Sequence, residues 1–200
     1  MMRALLQLSK AIDTLNARAG MLAVWLVLVA CVISAGNALM RYGFDLSSNA
    51  WLEIQWYLFG GMVMLGAAWT LKLNEHVRVD VLYSRYSERT RLWVDLLGAI
   101  FFLLPMTIII LVLSWPIFVD SYRINEYSSD AGGLLRWPVK LLIPAGFLLL
   151  ALQGVSEIIK RIAFLLGQIP DPLEKHHEPV AEEQLPKELL PREPLGGSLS

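Results

Sequence analysis

The sequence predicts an all-α membrane protein. It should have four transmembrane helices, an interfacial amphipathic helix over residues 1–18 before them, and a disordered tail over 168–200 after them. Three observations carry this. Hydrophobic residues make up 56% of the 200 and charged residues 18%, with a mean hydropathy of +0.51, too apolar for an ordinary soluble domain. The uncharged residues are gathered into four long runs that approach the ~20 residues a helix needs to cross a bilayer. Lysine and arginine flank those runs unevenly, as they do around membrane spans.

Residues 1–18 place Leu5, Leu8, Ile12 and Leu15 at helical spacing, with Arg3, Gln7, Lys10, Asp13, Thr14 and Arg18 at other positions. That is the pattern of a short amphipathic helix lying in the membrane interface. The first span, 19–40, has no charge over twenty-two residues and is bracketed by Arg18 and Arg41. Ser34-Ala35-Gly36 would suit signal-peptide cleavage, but the apolar run exceeds the ~7–15 residues of a signal core, so a retained helix is expected. Residues 41–50 form a short turn in which Ser47, Ser48 and Asn49 are helix-start residues.

The second span, 51–71, is free of charge from Ile54 to Leu71, a length of about 27 Å as helix. Trp51, Trp56, Tyr57 and Trp69 lie near its ends, where amphipathic rings favour the headgroup level. Glu53 stands just inside one end and Lys72 closes the other. Gly60, Gly61, Gly66, Ala67 and Ala68 punctuate the middle, and the pairs 60/67 and 61/68 share a face. Small residues on one face let another helix backbone approach closely, and packing is what holds helices together in lipid.

The loop 72–92 carries Lys72, Arg78, Arg85, Arg89 and Arg91, and Ser87 is placed to cap a new helix. The third span, 93–119, is uncharged from Leu96 to Val119 and holds Pro105, where a kink is expected. Residues 120–138 form a loop with Gly132, Gly133 and Pro138. In the fourth span, 138–159, sixteen residues separate Lys140 from Glu157, about 24 Å of helix. It crosses if Lys140 and Lys160 snorkel and Trp137 anchors the edge. From Gln168 the chain turns polar, with six prolines from Pro170 to Pro194. His176 and His177 fall there without further metal-ligand spacing, so they read as solvated surface.

An even number of spans puts both termini on one side. Near the spans, that side holds ten lysines and arginines and the other four, which places both termini and the 72–92 loop in the cytoplasm. The net charge of −1 gives no field to recruit nucleic acid. The single Cys31 sits in an apolar run and reads as packing. No histidine lies in any span, which excludes a bis-histidine haem, and the span cores hold no ionisable group for an ion path. The residues therefore describe a passive bundle with adhesive faces, a subunit of something larger. A membrane anchor for a soluble or redox enzyme and a self-sufficient small carrier are the alternatives.

The segments Trp51-Leu-Glu, Gly60-Gly61, Gly66-Ala67-Ala68 and Glu75-His76-Val77-Arg78-Val79-Asp80 resemble the small membrane subunit of TRAP (tripartite ATP-independent periplasmic) transporters. So do Ser128-Ser129-Asp130-Ala131-Gly132-Gly133, Arg136-Trp137-Pro138-Val139-Lys140 and Ile143-Pro144-Ala145-Gly146. The likeness covers residues 5–167, and the loops resemble the subgroup labelled for mannitol, chloroaromatic compounds or 2-oxo acids. The resemblance implies a scaffold in the bacterial inner membrane, without enzymatic activity or cofactor of its own. Its partners would be a large multi-span subunit that holds the substrate and sodium sites, a periplasmic solute-binding protein, and lipids. Glu53 would pair with a partner's basic group or a backbone donor, or else face water as a boundary carboxylate. Gly60, Gly61, Ala67, Ala68, Lys72, His76, Arg78 and Asp80 are candidates for a subunit or lipid interface, with Lys72 read chiefly as a lipid anchor. Arg123, Glu126 and Trp137 are candidates for periplasmic contact.

Overall fold

The computed structural model describes residues 2–46, 48–75 and 86–169. His76, Arg78 and Asp80 lie outside the described residues, as does the tail from 170 onward. Among the described residues there are four helices long and apolar enough to cross a membrane.

Helix α1, Met2–Phe44, runs unbroken for 43 residues, about 65 Å. The segment read as an interfacial helix is thus not a separate element but the first turns of α1. Helical propensity is unbroken across Arg18, and the face formed by Ser9, Ile12, Asn16, Gly20 and Ala23 is buried at a constant three-to-four residue spacing. Leu8 and Leu15 stay half exposed on another face.

Helix α2, Asn49–Leu73, ends at Asn74, which adopts a left-handed φ of 60°. Its N–H reaches Leu71 O at 3.1 Å, and that of Glu75 reaches Thr70 O at 3.2 Å. This double closure satisfies carbonyls the helix would otherwise leave bare. Asn125 (φ 48°) and Gly167 (φ 70°) close two later helices the same way.

The third span begins with α3, Glu88–Gly98, where Ser87 Oγ accepts from Thr90 N, the cap expected from sequence. A π-helical turn over Ala99–Leu103 joins it to α4, Leu104–Arg123. The disturbance expected of Pro105 takes this form. Proline lacks an N–H and its ring collides with the carbonyl one turn back, and the wider turn absorbs the mismatch. Helix α5, Trp137–Leu165, carries Pro138 in its first turn, where no N–H is missed, and Pro144 inside.

Helices α1, α2 and α5 pack against one another, whereas the third span packs substantially on α5 alone. Close approach at small residues sets this geometry. A Cβ on Gly20 would lie 2.4 Å from the Trp69 ring, and one on Gly61 would lie 2.9 Å from Leu26 Cδ1. On the far side, a Cβ on Gly146 would meet Met64 Cβ at 2.7 Å and one on Gly154 would meet Leu103 Cδ2 at 3.1 Å. Outside these contacts, large apolar side chains such as Trp25, Val32, Phe101, Phe102 and Leu113 are exposed, as lipid or a membrane partner requires.

Candidate functional site

Every charged residue of the described helices lies near one end of the bundle or the other. At the loop end, Glu53 near the start of α2 is buried, with 4% of its surface exposed. Its carboxylate accepts from Leu134 N at 2.7 Å and from the Ser128 hydroxyl. The 124–136 loop closes over it because residue 133 is glycine. A Cβ there would stand 2.8 Å from Glu53 Oε1 and 2.4 Å from Ser128 Cβ. Two further ties hold the loop to α2: Tyr57 Oη donates to Leu135 O at 3.1 Å, and Asn49 Nδ2 to Ala131 O at 3.0 Å.

On α5, Lys140 Nζ donates to the Glu126 carboxylate, and Arg136 N reaches Glu126 O at 2.8 Å. The Lys140 ammonium, with Arg136 adding to it, holds the Glu126 carboxyl below the usual carboxylate range. Trp137 packs edge-to-face on Tyr122 with ring centroids 5.4 Å apart. Of the three residues expected to face a periplasmic partner, Arg123 is exposed, while Glu126 and Trp137 are engaged inside the chain.

At the end where α1 begins and α5 ends, a second cluster joins four helices. Asp13 of α1 accepts from Gln153 Nε2 at 3.0 Å, Ser156 Oγ at 2.8 Å and Lys160 Nζ at 3.2 Å. Gln153 Oε1 accepts from Asn16 Nδ2 at 2.7 Å, and Ser9 and Ser156 share a hydrogen bond of 2.7 Å. Arg161 bridges Glu157 at 3.0 Å and Asp95 of α3 at 3.1 Å. Its side chain is only 7% exposed. Lys72 Nζ donates to Asp13 O at 3.3 Å. Among the described residues, the acids Asp13, Asp95 and Glu157 thus stand with the bases Lys160 and Arg161, which meet their carboxylates, and Lys72, which meets the Asp13 carbonyl. Charges this far from water persist only when paired and hydrogen-bonded.

Several expectations change on this geometry. Glu53 takes the backbone-donor option, but within its own chain, so it is not available to another subunit. Gly61 and Ala68 are buried between α1, α2 and α5, and Gly60 faces Val139 at 3.8 Å, so this small-residue face serves the bundle itself. Ala67 lines a shallow apolar groove with Gly20, Ala23 and Gly66. Lys72 and Lys160 are held by α1 rather than extended to lipid headgroups. Sequence reasoning passed over the cluster around Asp13. Its signal was the row Gln153, Ser156, Glu157, Lys160 and Arg161, which falls on one helical face.

This arrangement ties the bundle together at both ends and leaves its middle free of charge. Residues 29–164 match the family described as Tripartite ATP-independent periplasmic transporters, DctQ component. No curated protein and no solved structure matches the chain. The match spans more than half of the sequence and agrees with four apolar helices in a multi-pass membrane protein, so the chain belongs to the DctQ family, the small membrane components of the tripartite ATP-independent periplasmic transporters.

Proposed function

We propose that this chain is the static scaffold of a sodium-coupled importer of an organic acid or a related solute. The large membrane subunit holds the substrate and sodium sites, and a periplasmic solute-binding protein delivers the substrate. One observation carries the reading. The charged side chains of the described helices lie toward the two ends of the bundle, where two neutral clusters tie the helices together, and the charge-free middle presents apolar side chains outward. A chain built so has nothing at mid-membrane depth to hold an anion or a cation, but has a large surface on which a membrane partner can pack. Both termini face the cytoplasm by the lysine and arginine asymmetry. The loop end, with Arg123 exposed, then faces the periplasm. In this reading the lipid- and partner-facing surfaces are chiefly the first and third spans with the Trp56–Phe59–Val63 face of α2, and Gly61 and Ala68 are internal.

The test is a tagged purification of the chain from mild-detergent membranes, with identification of what accompanies it. Recovery of a large multi-span subunit in fixed stoichiometry, with sodium-dependent uptake after reconstitution of both and a binding protein, supports the proposal. Recovery with a soluble dehydrogenase, or solute flux in liposomes holding this chain alone, overturns it.

A further inference from the structure

The first turns of α1 extend past the end of α2. Gly20 lies against Trp69, Ala23 against Gly66 and Leu26 against Gly61, so α2, which ends at Leu73, stops level with about residue 15 of α1. The thirteen residues before Leu15 reach roughly 20 Å farther. They carry Ala4, Leu8, Ala11 and Leu15 in one exposed strip at helical spacing, with Leu8 50% and Leu15 48% exposed. Arg3, Lys10 and Arg18 border the strip and are exposed, and their side chains make no ion pair or hydrogen bond among the described residues. The strip begins where α2 ends and runs alongside the charged layer of Asp13, Lys160 and Arg161, past the charge-free middle of the bundle. A basic and apolar strip in water calls for an acidic segment with apolar side chains.

The chain itself supplies one. Residues 170–200 hold seven acidic and three basic residues. Within them, Glu182–Leu190 holds Glu182, Glu183 and Glu188 against one base, Lys187, together with Leu185, Leu189 and Leu190. The tail also starts in the right place. Helix α5 runs antiparallel to α1, with Ser156 against Ser9 and Leu149 O against Asn16, so its last residue, Leu165, is level with the start of α1. Sixteen residues from Ile169 to Leu185 span up to about 50 Å, more than the strip requires, and a tether of that length gives a local concentration in the millimolar range. The other neighbouring segment, 76–85, carries Arg78 and Arg85 against a single acid, Asp80, and has the wrong sign.

We propose that the acidic segment Glu182–Leu190 docks on the exposed strip Ala4–Leu8–Ala11–Leu15 of α1 in the same chain. The proposal is independent of the transport reading above. The experiment uses the full chain with Cys31→Ser, and compares disulfide formation under mild oxidation for two pairs. One is Leu8→Cys with Leu189→Cys. The other is Leu5→Cys with Leu189→Cys, since Leu5 lies on the side of the same turns away from Arg3, Lys10 and Arg18. The expected result is an intramolecular disulfide at least tenfold faster for the Leu8 pair, slowed to the control rate by Arg3→Glu with Lys10→Glu. Equal rates for the two pairs overturn the proposal. So do disulfides formed only between chains, which would assign the strip to a second copy. Quenching of a fluorophore at Leu8→Cys by brominated anionic lipid, with loss of the fast disulfide in vesicles, would assign the strip to the membrane surface and also overturn it.

Discussion

Gly146→Ala is the sharpest test of how α2 and α5 are held together. An added Cβ would lie 2.7 Å from Met64 Cβ, 2.8 Å from Met64 O and 3.1 Å from Met64 C. Two of those atoms are backbone and cannot rotate away. Reaching an ordinary contact of 3.4 Å or more requires the two helices to part by about 0.7 Å, and a gap of that size forfeits a quarter to a half of each dispersion contact along the interface. Overpacking of this kind costs about 1–3 kcal/mol. The higher helix propensity of alanine, up to ~1 kcal/mol in water, works in the opposite direction. The net expectation is a loss of about 1–2 kcal/mol. Gly60→Ala is the control, since its Cβ would meet only Val139 Cγ2 at 3.8 Å, and it should be as stable as the parent or up to ~1 kcal/mol more stable. The assay is unfolding of the purified chain in mixed micelles, followed by tryptophan fluorescence. A Gly146→Ala protein as stable as the parent, or a Gly60→Ala protein equally weakened, would refute the packing argument.

Three further outcomes follow from the two clusters. Arg161→Ala removes the cation that Glu157 and Asp95 share, while Lys160 and Gln153 still reach Glu157. It should lower stability by about 1.5–3 kcal/mol in the same assay, and a loss under ~1 kcal/mol would count against the bridge. Glu126 has a folded-state pKa below its ordinary 4.5, because Lys140 favours the carboxylate. Its contribution is therefore fully present above pH 4.5 and lost as pH falls through the depressed value. A Glu126→Gln protein should show a shallower stability loss over that acidic range, and an unchanged slope would count against the pairing. Gly133→Ala drives a Cβ into Ser128 and Glu53, so limited proteolysis between Asn125 and Arg136 should accelerate. An unchanged cleavage rate would mean the loop has another way to close.

The four helices were legible because apolar run length is a one-dimensional quantity. The Ser87 cap and the disturbance at Pro105 were legible for a similar reason, since each depends on its own few residues. What escaped was pairing. Asp13 looked like one polar residue of an amphipathic turn, because its partners Gln153, Ser156 and Lys160 lie about 140 residues away. Lys160 was read as reaching for lipid, although the row it belongs to on α5 marks a buried polar face. The glycines of α2 were recognised as places of close approach. Nothing in the spacing told whether the approaching helix belongs to this chain, and Gly61 shows that it does, with Leu26 and Leu142 as neighbours. Glu53 shows the same limit. A carboxylate at a span margin signals a donor, but the donor, Leu134 N, lies 81 positions on.

The neutrality of the two clusters has an electrical consequence. Moving one elementary charge through a membrane potential is worth about 2.3 kcal/mol per 100 mV. Among the described residues, Asp13, Asp95 and Glu157 stand with Lys72, Lys160 and Arg161 at one end, and Glu53 and Glu126 face Arg136 and Lys140 at the other. The uncharged middle adds nothing, so voltage exerts almost no net force on the clustered charges. On the scaffold reading proposed above, a voltage-driven step of the transporter would therefore have to displace charge outside these two clusters.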